Sequence, residues 1–539
     1  MRARGSIVRR LSVLVICLLL VTASVPGAVT AASGDGHAAE PAAVDVQNAL
    51  EVDDGLADLD SSELVVRLEE APLEDAGDTE RQLESHAERT QEPVLEYVAE
   101  TPGVDVAEEF WVTNAVVLEL ETDTVDEKLL GGLERIDEVE AVHENFALSV
   151  PNPPGPRTPV DPSPPDSGDE GPRTTAAIDY VNVPSVWDEY DTRGEGVRVA
   201  VLDTGIDAAH PDLELYTDTP GDPTYPGGWA EFDETGERVT GSTPHDTGRH
   251  GTHVSGTVAG GAASGTAIGV APDAELLHGL VLDDDGGTFA QLVAGIEWAL
   301  EADADVINLS LGSPGIYDEL IDPIYHAAES DVVVVAAIGN QGPETSNAPA
   351  NVYGTISVGA VTDDGAVASF SGGDRIHRSD WESQPDHWPE TYAVPTVVAP
   401  GVDVTSTVPG GYADKPGTSM ATPHVSGIAA LLLSAEPDVS PEDLSVALTE
   451  TAWKPDGESL EQDTRYGHGV VDANAAADEL VDREPETGGE TPAVEPEADG
   501  DVETTDDERE WLVPVGIVVV SLAAIAVLAT IVRLRMGRP

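Results

Sequence analysis

Short apolar runs alternate with stretches of helical spacing through the middle of the chain. The runs that we interpret as buried β-strands are 197–203, 275–281, 306–311, 332–337, 356–361 and 396–399. Near-continuous apolar strands separated by helices are typical of a mostly parallel sheet with helices on both faces. The pattern therefore predicts an α/β domain over residues 175–482, with functional side chains at the carboxyl ends of its strands.

A smaller pattern, over residues 62–150, precedes this domain. Its predicted elements are strands at 64–68, 115–120 and 139–148 and helices at 81–99 and 125–136. These elements predict a small α+β domain. A Pro-rich acidic segment, 151–174, follows it, and we expect this segment to be an extended linker that is accessible to cleavage.

The N-terminus has the pattern of a secretory signal. The first ten residues carry four arginines, residues 11–25 are apolar, and small residues follow up to Ala32. We interpret residues 1–32 as a signal peptide, because the apolar run is short for a membrane span, which is the alternative. Arg9 and Arg10 also permit export by the twin-arginine route, so the choice between the two export routes stays open.

The C-terminus has the pattern of a membrane anchor. Residues 483–510 are rich in Glu, Asp, Pro, Gly and Thr and lack apolar periodicity, which predicts an acidic disordered spacer. Residues 512–532 are uncharged and mostly apolar, long enough for a transmembrane helix, and arginines follow them. Since basic flanks stay in the cytoplasm, we expect a single-pass protein of the cell membrane whose folded part is extracellular. The alternative, a buried C-terminal helix, is disfavoured because no charge interrupts the run.

The charge balance excludes one class of partner. The chain of 539 residues has 102 acidic and 25 basic residues and a net charge of −77. Such an excess repels phosphates, so we exclude nucleic acid. Because 40% of the residues are hydrophobic, we infer a folded protein rather than a disordered one. Molar salt shortens the Debye length to about 3 Å and so screens the repulsion between its charges, and we therefore infer that the source is a halophile. The only cysteine, Cys17, lies in the signal region, so no disulfide is expected.

Three polar motifs within the apolar pattern carry side chains suited to nucleophilic catalysis. Ser419 lies in a Gly-Thr-Ser turn at the start of an apolar helical run, where its backbone N–H can face an oxyanion. A hydroxyl needs a base and a group that orients the base. His250, at the entry of a helix, and Asp203, at the end of a buried strand, are candidates for these two parts.

These motifs resemble the three signatures of the subtilisin-like serine peptidases, in the family's order. They are Asp-Thr-Gly-Ile-Asp at 203–207, His-Gly-Thr-His-Val-Ser-Gly at 250–256 and Gly-Thr-Ser-Met-Ala-Thr-Pro at 417–423. The chain most resembles the halolysin type from halophilic archaea. The resemblance implies a serine-type endopeptidase that hydrolyses peptide bonds in protein or peptide substrates.

The resemblance also implies a role for each candidate catalytic residue. Ser419 would attack the scissile carbonyl, His250 would take and return the proton, and Asp203 would hold the imidazole. Asn340, after the strand predicted at 332–337, matches the asparagine of the family's oxyanion hole. The chemistry itself requires no cofactor.

Substrate contacts follow from the same resemblance. Ser310, Leu311 and Gly312 resemble the edge segment that pairs with the substrate backbone. Gly286 and Gly287 are candidates for the opposing strand, because an extended peptide binds to exposed backbone groups. These two glycines could equally be turn residues.

A structural calcium ion is the one cofactor that the resemblance leaves open. Asp212, in the His-Pro-Asp-Leu segment, matches a family residue that binds calcium, and hard oxygen ligands suit this ion. The companion loop, 261–265, lacks the side-chain carboxamide often found there.

The position of residues 62–150 resembles that of the family's propeptide, which assists folding and inhibits by laying its C-terminal strand in the substrate cleft. We therefore expect a precursor that processes itself, with an unrelated surface domain as the alternative.

Two other functions of the protein are considered: a catalytically inactive surface-binding protein on the same fold, and an esterase or other acyl hydrolase. The complete set of catalytic residues disfavours the first. The lack of a Gly-x-Ser-x-Gly motif at Ser419 disfavours a lipase-type fold.

Overall fold

The computed structural model describes residues 51–52, 62–73, 79–121, 127–150, 173–283, 285–385 and 387–482. All of them belong to one compact unit, residues 1–484. The predicted signal peptide with Cys17, residues 151–172 of the predicted linker, the predicted spacer and the predicted membrane span lie outside the described residues. None of the helices in the described ranges has the length and apolar character needed to cross a membrane.

A seven-stranded sheet forms the centre of the larger part of the chain. In spatial order its strands are Val397–Pro400, Ile356–Val361, Val333–Ala337, Val306–Leu309, Arg198–Asp203, Glu275–Leu280 and Trp229–Glu231. All neighbouring strands pair in parallel. The predicted α/β fold is confirmed, and every run interpreted as a buried strand contributes a strand to this sheet. The edge strand Trp229–Glu231 was not predicted, because three residues are too few to show a period.

Helices cover both faces of the sheet. They are Ala176–Tyr180, Val183–Glu189, Gly251–Ala259, Phe289–Glu301, Ile321–Glu329, Thr418–Ala435, Pro441–Glu450 and Ala473–Asp482. Successive residues of a strand point to opposite faces. Val201 therefore belongs to the core that contains Val254 and Val425, whereas its neighbour Leu202 belongs to the core that contains Val293.

Short two-stranded pairings complete this α/β part. They are Arg173–Thr174 with Thr266–Ala267, Ser313–Pro314 with Asn347–Ala348, Asp374–His377 with Thr391–Val394, and Val404–Val408 with Gly411–Lys415. The last of these packs on helix Gly251–Ala259 through two buried hydroxyls. Ser406 Oγ donates to the carbonyl of His253 (2.9 Å), and Thr407 Oγ1 donates to that of Thr252 (2.7 Å).

The described residues between 51 and 150 form a second sheet with helices, which we call the N-terminal subdomain. Its strands, in spatial order, are Glu51–Val52, Val139–Glu144, Glu63–Leu68, Ala115–Leu120 and Val104–Phe110, and its helices are Thr79–Thr90, Glu92–Glu100 and Glu127–Leu133. It has a core of its own, which includes Leu64, Val116 and Val142. The strand Val104–Phe110 was not predicted, because Asp105, Glu108 and Glu109 interrupt its apolar pattern.

The single helix predicted at 81–99 is wrong: two helices meet at Gln91. Pro93 lies in the first turn of the second helix, where its missing N–H costs nothing, but it could not continue the first helix. The side chain of Gln91 turns inward instead and donates to the carbonyl of Phe110 (2.7 Å). The helix predicted at 125–136 is also shorter, Glu127–Leu133, and residues 122–126 lie outside the described residues.

The final strand predicted at 139–148 is likewise two strands. Val139–Glu144 belongs to the sheet of the N-terminal subdomain, whereas Ala147–Leu148 leaves that sheet and pairs antiparallel with Gly287–Thr288 of the α/β part. Between the two strands, the side chain of Asn145 accepts from the backbone amide of Ala290 (2.9 Å). Contact with the α/β part therefore decides where the first of these strands ends.

The N-terminal subdomain packs on helices Phe289–Glu301 and Ile321–Glu329 through partly buried polar contacts. Oε1 of Glu297 accepts from the backbone amides of Trp111 (2.5 Å) and Val112 (2.8 Å). The guanidinium of Arg67 lies 2.8 Å from the carboxylate of Asp322. Each contact joins residues far apart in the sequence, so none of them could be read from local patterns.

Candidate active site

Asp203 ends the central strand Arg198–Asp203 and is fully buried. Nδ1 of His250 lies 2.8 Å from its Oδ1 and 3.0 Å from its Oδ2, and the backbone amide of Thr204 donates to Oδ1 (2.7 Å). Burial alone would raise the pKa of Asp203. The charge and hydrogen bond of His250, together with the Thr204 amide, outweigh it and lower this pKa below its usual value. The group is therefore a buried carboxylate facing an imidazole.

His250 precedes the first residue of helix Gly251–Ala259 and is almost fully buried. Thr204 supports it from the side: its Oγ1 accepts from the amide of Gly251 (2.9 Å) and donates to Oδ1 of Asp246 (2.9 Å). Oδ2 of Asp246 accepts in turn from the amide of Thr252 (3.0 Å). Neither Thr204 nor Asp246 was singled out from the sequence, since no local pattern marks a partner more than forty positions away.

Ser419 lies in the first turn of helix Thr418–Ala435 and is buried. Gly417, with φ of 149°, makes the turn into this helix. The backbone carbonyl of Ser419 accepts from Oγ of Ser310 (3.0 Å). Among the residues that the structure describes, Oγ of Ser419 has no hydrogen-bond partner, so it is not bonded to His250 here.

Asn340 follows the strand Val333–Ala337 and lies beside the turn that carries Ser419. Its Oδ1 accepts from the backbone amide (3.0 Å) and the hydroxyl (3.1 Å) of Thr418. A Cβ added to Gly417 would lie 3.6 Å from Nδ2 of Asn340. The oxygen of the carboxamide is thus hydrogen-bonded to Thr418, the residue before Ser419, and its nitrogen lies next to the same turn.

The candidate substrate-binding residues differ in what they contact. The amide of Gly312 donates to the carbonyl of Ser149 (2.9 Å), and the amide of Ser149 donates to the carbonyl of Gly312 (3.1 Å). Gly287 pairs with Leu148 on the other side. The segment 147–149 of the N-terminal subdomain therefore lies as an extended strand in a cleft between two backbone edges.

The other candidates line this cleft less directly. Ser310 and Leu311 are fully buried, and the Ser310 hydroxyl donates to the carbonyl of Ser419 rather than facing the cleft. Gly286, with φ of 128°, forms a tight turn with Asp283, whose amide donates to the Gly286 carbonyl (2.8 Å). Gly286 is therefore a turn residue, which was the alternative interpretation, whereas Gly287 lies in a strand that pairs with Leu148.

The surroundings of Asp212 do not fit a calcium ion. Its Oδ1 accepts from the backbone amide of Ala263, and its Oδ2 accepts from the hydroxyl of Tyr412 (2.5 Å). Calcium takes about six to eight oxygen ligands, but here hydrogen-bond donors face both carboxylate oxygens. Across the described ranges, no group of three or more His, Cys, Asp or Glu side chains is arranged to hold a metal. One of these donors comes from the loop 261–265 and the other from Tyr412, on the strand Gly411–Lys415.

Two other histidines near the motifs are buried in structural contacts. Nε2 of His253 lies 3.0 Å from the carbonyl of Val404 and 3.1 Å from that of Ala413, and burial lowers the pKa of His253 well below its usual value. Nδ1 of His424 lies 2.8 Å from the carbonyl of Met420. Asp207 accepts from the amide of Ala209 (3.1 Å) and so braces the turn after Asp203.

Comparisons with a family model and with individual proteins agree on one family. The model of the subtilase family matches residues 194–469. The chain is 38% identical to subtilisin E of Bacillus subtilis over 308 residues, which cover 56% of this chain and 70% of that protein. It is 38% identical to a subtilisin of Bacillus pumilus over 308 residues, 56% of this chain and 97% of that one. It is 40% identical to subtilisin BL of Lederbergia lenta over 285 residues, 52% and 91% of the two chains. The parallel α/β fold and these similarities together place the chain in the subtilase family, as a subtilisin-like serine endopeptidase.

Proposed function

We propose that Asp203, His250 and Ser419 are the catalytic triad of this endopeptidase. The observation that carries the proposal is the 2.8 Å contact between Nδ1 of His250 and the buried carboxylate of Asp203. A carboxylate at this nitrogen holds the proton on Nδ1, so that Nε2 is free to accept a proton from an alcohol. Ser419, buried at the start of its helix, is the alcohol that we assign to this pair.

The proposed reaction proceeds through an acyl-enzyme. As Ser419 Oγ attacks the scissile carbonyl, Nε2 of His250 takes the hydroxyl proton, and Asp203 stabilises the imidazolium. The tetrahedral oxyanion accepts from Nδ2 of Asn340 and from the backbone amide of Ser419. His250 then gives the proton to the leaving amine, and water, activated by the same imidazole, releases the acid and restores the Ser419 hydroxyl.

Loss of activity in Ser419→Ala tests the triad. Peptide hydrolysis should disappear, because no other alcohol takes part in the reaction. A fluorophosphonate probe should label the unaltered chain but not the variant. An unlabelled, inactive wild-type chain that still binds proteins at the cell surface would favour the alternative, a catalytically inactive binding protein.

We propose further that the N-terminal subdomain is a propeptide that acts as an intramolecular inhibitor. The strand Ala147–Leu148 and residue Ser149 support this role, because they pair with Gly287–Thr288 and Gly312 as an extended substrate would. The Arg67–Asp322 ion pair and the amide contacts of Glu297 add to the docking surface.

The maturation point tests the propeptide role. The Ser419→Ala chain should stay a full-length precursor, whereas the active enzyme should begin in or just after the linker 151–174. N-terminal sequencing of the active enzyme gives this position directly. A mature N-terminus near Ser33 would mean that the N-terminal subdomain is not removed.

We propose that the enzyme is exported and anchored, as a halolysin-type peptidase on the extracellular face of the cell membrane. The proposed signal peptide, 1–32, and the proposed transmembrane helix, 512–532, carry this part of the proposal. A chain that ends at Glu510 should be released into the medium, and the full chain should fractionate with membranes. Release of the full chain without cleavage would contradict the anchor.

A further inference from the structure

Behind the contact of Asp203 with His250 lies a second imidazole, and we propose that His278 is a positioning residue for the peptidase reaction. Its ring joins the turn after Asp203 to the helix after His250, and so holds these two side chains in their hydrogen-bonded arrangement. The proposal rests on the proposed function, since it concerns the alignment of the proposed catalytic pair.

His278 is fully buried within the strand Glu275–Leu280. This strand pairs in parallel with Arg198–Asp203, so that its last residue, Leu280, lies opposite Asp203. The indole of Trp229, on the edge strand, stacks on the imidazole, with 6.1 Å between ring centroids and an interplanar angle of 21°. The strand and the indole together hold the ring in one orientation.

Both ring nitrogens make hydrogen bonds. The backbone amide of Gly205 donates to Nε2 (3.1 Å), and Nδ1 lies 2.9 Å from Oγ of Ser255. Gly205 comes two residues after Asp203, and Ser255 belongs to the helix whose N-cap is His250. One ring thus connects the turn after the carboxylate with the helix that carries the base.

The backbone around the ring is closely packed. A Cβ added to Gly251 would come within 2.2 Å of the carbonyl oxygen of Gly205 and 2.9 Å of Cε1 of His278. The Asp203 turn, the first residue of the His250 helix and the ring therefore lie against one another. A ring of another size or position must shift Gly205 or Gly251. Gly251 is bonded to His250, and Gly205 lies two residues after Asp203.

The hydrogen bonds also fix the tautomer of His278. Because the Gly205 N–H is a donor, Nε2 must accept, and the ring proton lies on Nδ1, which donates to Ser255. Burial lowers the pKa of His278 to about 4, although the charge of Asp203 acts in the opposite direction. The ring is therefore neutral above this pH and places no second positive charge beside Asp203.

The test measures kcat, KM and the pH profile of His278→Ala, per active site titrated with a fluorophosphonate. We expect kcat to fall by about 10- to 100-fold, as for a displaced catalytic group, with KM within about 2-fold because substrate contacts are unchanged. The acid limb of kcat/KM should move to lower pH, since a misaligned Asp203 stabilises protonated His250 less. His278→Gln, whose Oε1 can accept from Gly205, should recover most of kcat.

His210→Gln is the matched control. This histidine is also buried in the α/β part, with Nε2 3.0 Å from the carbonyl of Gly411. Its substitution should lower Tm but leave kcat per titrated site and the acid limb unchanged. Wild-type kcat per site and an unmoved acid limb in His278→Ala would overturn the proposal, even if Tm fell.

If His278→Ala does not fold, Ser255→Ala decides the question, because it removes only the bond to the helix. A shift of its acid limb to lower pH supports the proposal, and an unmoved limb with wild-type kcat per site overturns it. Failure of the proposed function would be distinguishable, because the unaltered chain would then not react with the fluorophosphonate at all.

Discussion

At the scale of single residues, the partners of a buried carboxyl decide whether it keeps its charge. Asp203 and Glu297 each accept backbone hydrogen bonds in enclosed positions. Asp203 also faces His250, and its pKa is lowered despite burial. Glu297 accepts from two backbone amides and lies near the carboxylates of Glu301 and Glu108, and burial raises its pKa to about 8. The first arrangement suits a group that must stay ionised during catalysis, and the second suits a contact that responds to pH.

The charge of Asp203 is the first property that can be tested. Asp203→Asn keeps the shape of the side chain but lets Nδ1 of His250 become the acceptor, which puts the proton on Nε2. We expect kcat to fall on the order of 10⁴-fold, the loss typical of this change in a serine peptidase triad. Turnover of a peptide substrate per folded molecule measures it. Asp207→Asn, in the same turn, is the control and should stay close to wild type.

Two substitutions of Asn340 separate its two contacts. Asn340→Asp keeps the Oδ1 that accepts from Thr418 but removes the proposed oxyanion donor, whereas Asn340→Ala removes both. If the donor matters, kcat should fall by about 10²- to 10³-fold in both variants with little change in KM. Near-normal turnover of Asn340→Asp together with a slow Asn340→Ala would instead mean that anchoring Thr418 is its main role.

At the scale of elements, backbone edges rather than side chains form the cleft. Gly312 and Gly287 pair with Ser149 and Leu148 through N–H and C=O groups. A Cβ on Gly312 would meet the carbonyl of Ala348 at 2.5 Å, so this edge requires glycine. The strand that occupies the cleft is held there by a second contact, between helix Phe289–Glu301 and the turn at Trp111. Docking of the N-terminal subdomain thus depends on both places.

The Glu297 contact should make this docking pH-dependent. Because the pKa of Glu297 is raised where the subdomain is docked, docking takes up a proton. It is fully favoured below the ordinary glutamate pKa of about 4.3 and weakens as pH rises towards about 8. In the Ser419→Ala precursor, adding Glu297→Gln should therefore leave Tm nearly unchanged at pH 5 and raise it at pH 8.5.

The control for this measurement is Glu189→Gln, an exposed glutamate on helix Val183–Glu189 away from the docking surface. It should change Tm little, and equally, at both pH values. An identical Tm difference for Glu297→Gln at pH 5 and pH 8.5 would show that the Glu297 carboxyl does not titrate in this range.

At the scale of the whole molecule, the net charge of −77 opposes compaction. Exposed carboxylates repel one another over roughly 10 Å in 0.1 M salt but over only about 3 Å in 1 M salt. The large parallel sheet, with a core on each face, provides hydrophobic stabilisation that offsets this repulsion. By screening the repulsion, salt should therefore raise the net free energy of unfolding.

Tm should accordingly rise with KCl up to the molar range. Most of the rise should come below about 1 M if screening is the cause, because the Debye length changes little above that concentration. Sucrose, which is excluded from protein surfaces but screens no charge, is the control and should give a smaller rise. A highest Tm in dilute buffer would contradict both this prediction and the proposed halophilic source.

How far the sequence predicted the structure depended on the distance between partners. Buried runs such as 356–361 were predicted because a strand shows itself within a few residues. The break at Gln91 escaped prediction although Pro93 marked it locally, because the helical spacing continued across it. The edge strand at Trp229 and the acidic strand Val104–Phe110 were missed because their pairing partners, not their own patterns, hold them in place.

For the candidate site, the three motifs identified Asp203, His250 and Ser419 as a group, and their joint role stays a prediction. Asp246, Thr204 and His278 were not found, because each acts through a partner from another part of the chain. The environment of Asp212 also depended on the fold, since the hydroxyl of Tyr412 reaches it from a distant hairpin. Such contacts appear only when the sheet and its loops are assembled.

The sequence by itself determined the buried strands of the parallel sheet, apart from its short edge strand, the turn at Gly417–Ser419 and the acidic character of the chain, because each is encoded within a short stretch or in composition. Only the tertiary structure decided which tautomer His278 adopts, which buried carboxyl keeps its charge, and that residues 147–149 occupy the cleft. The physical reason is that hydrogen bonding and desolvation depend on every group around an atom. Most of those groups come from distant parts of the chain.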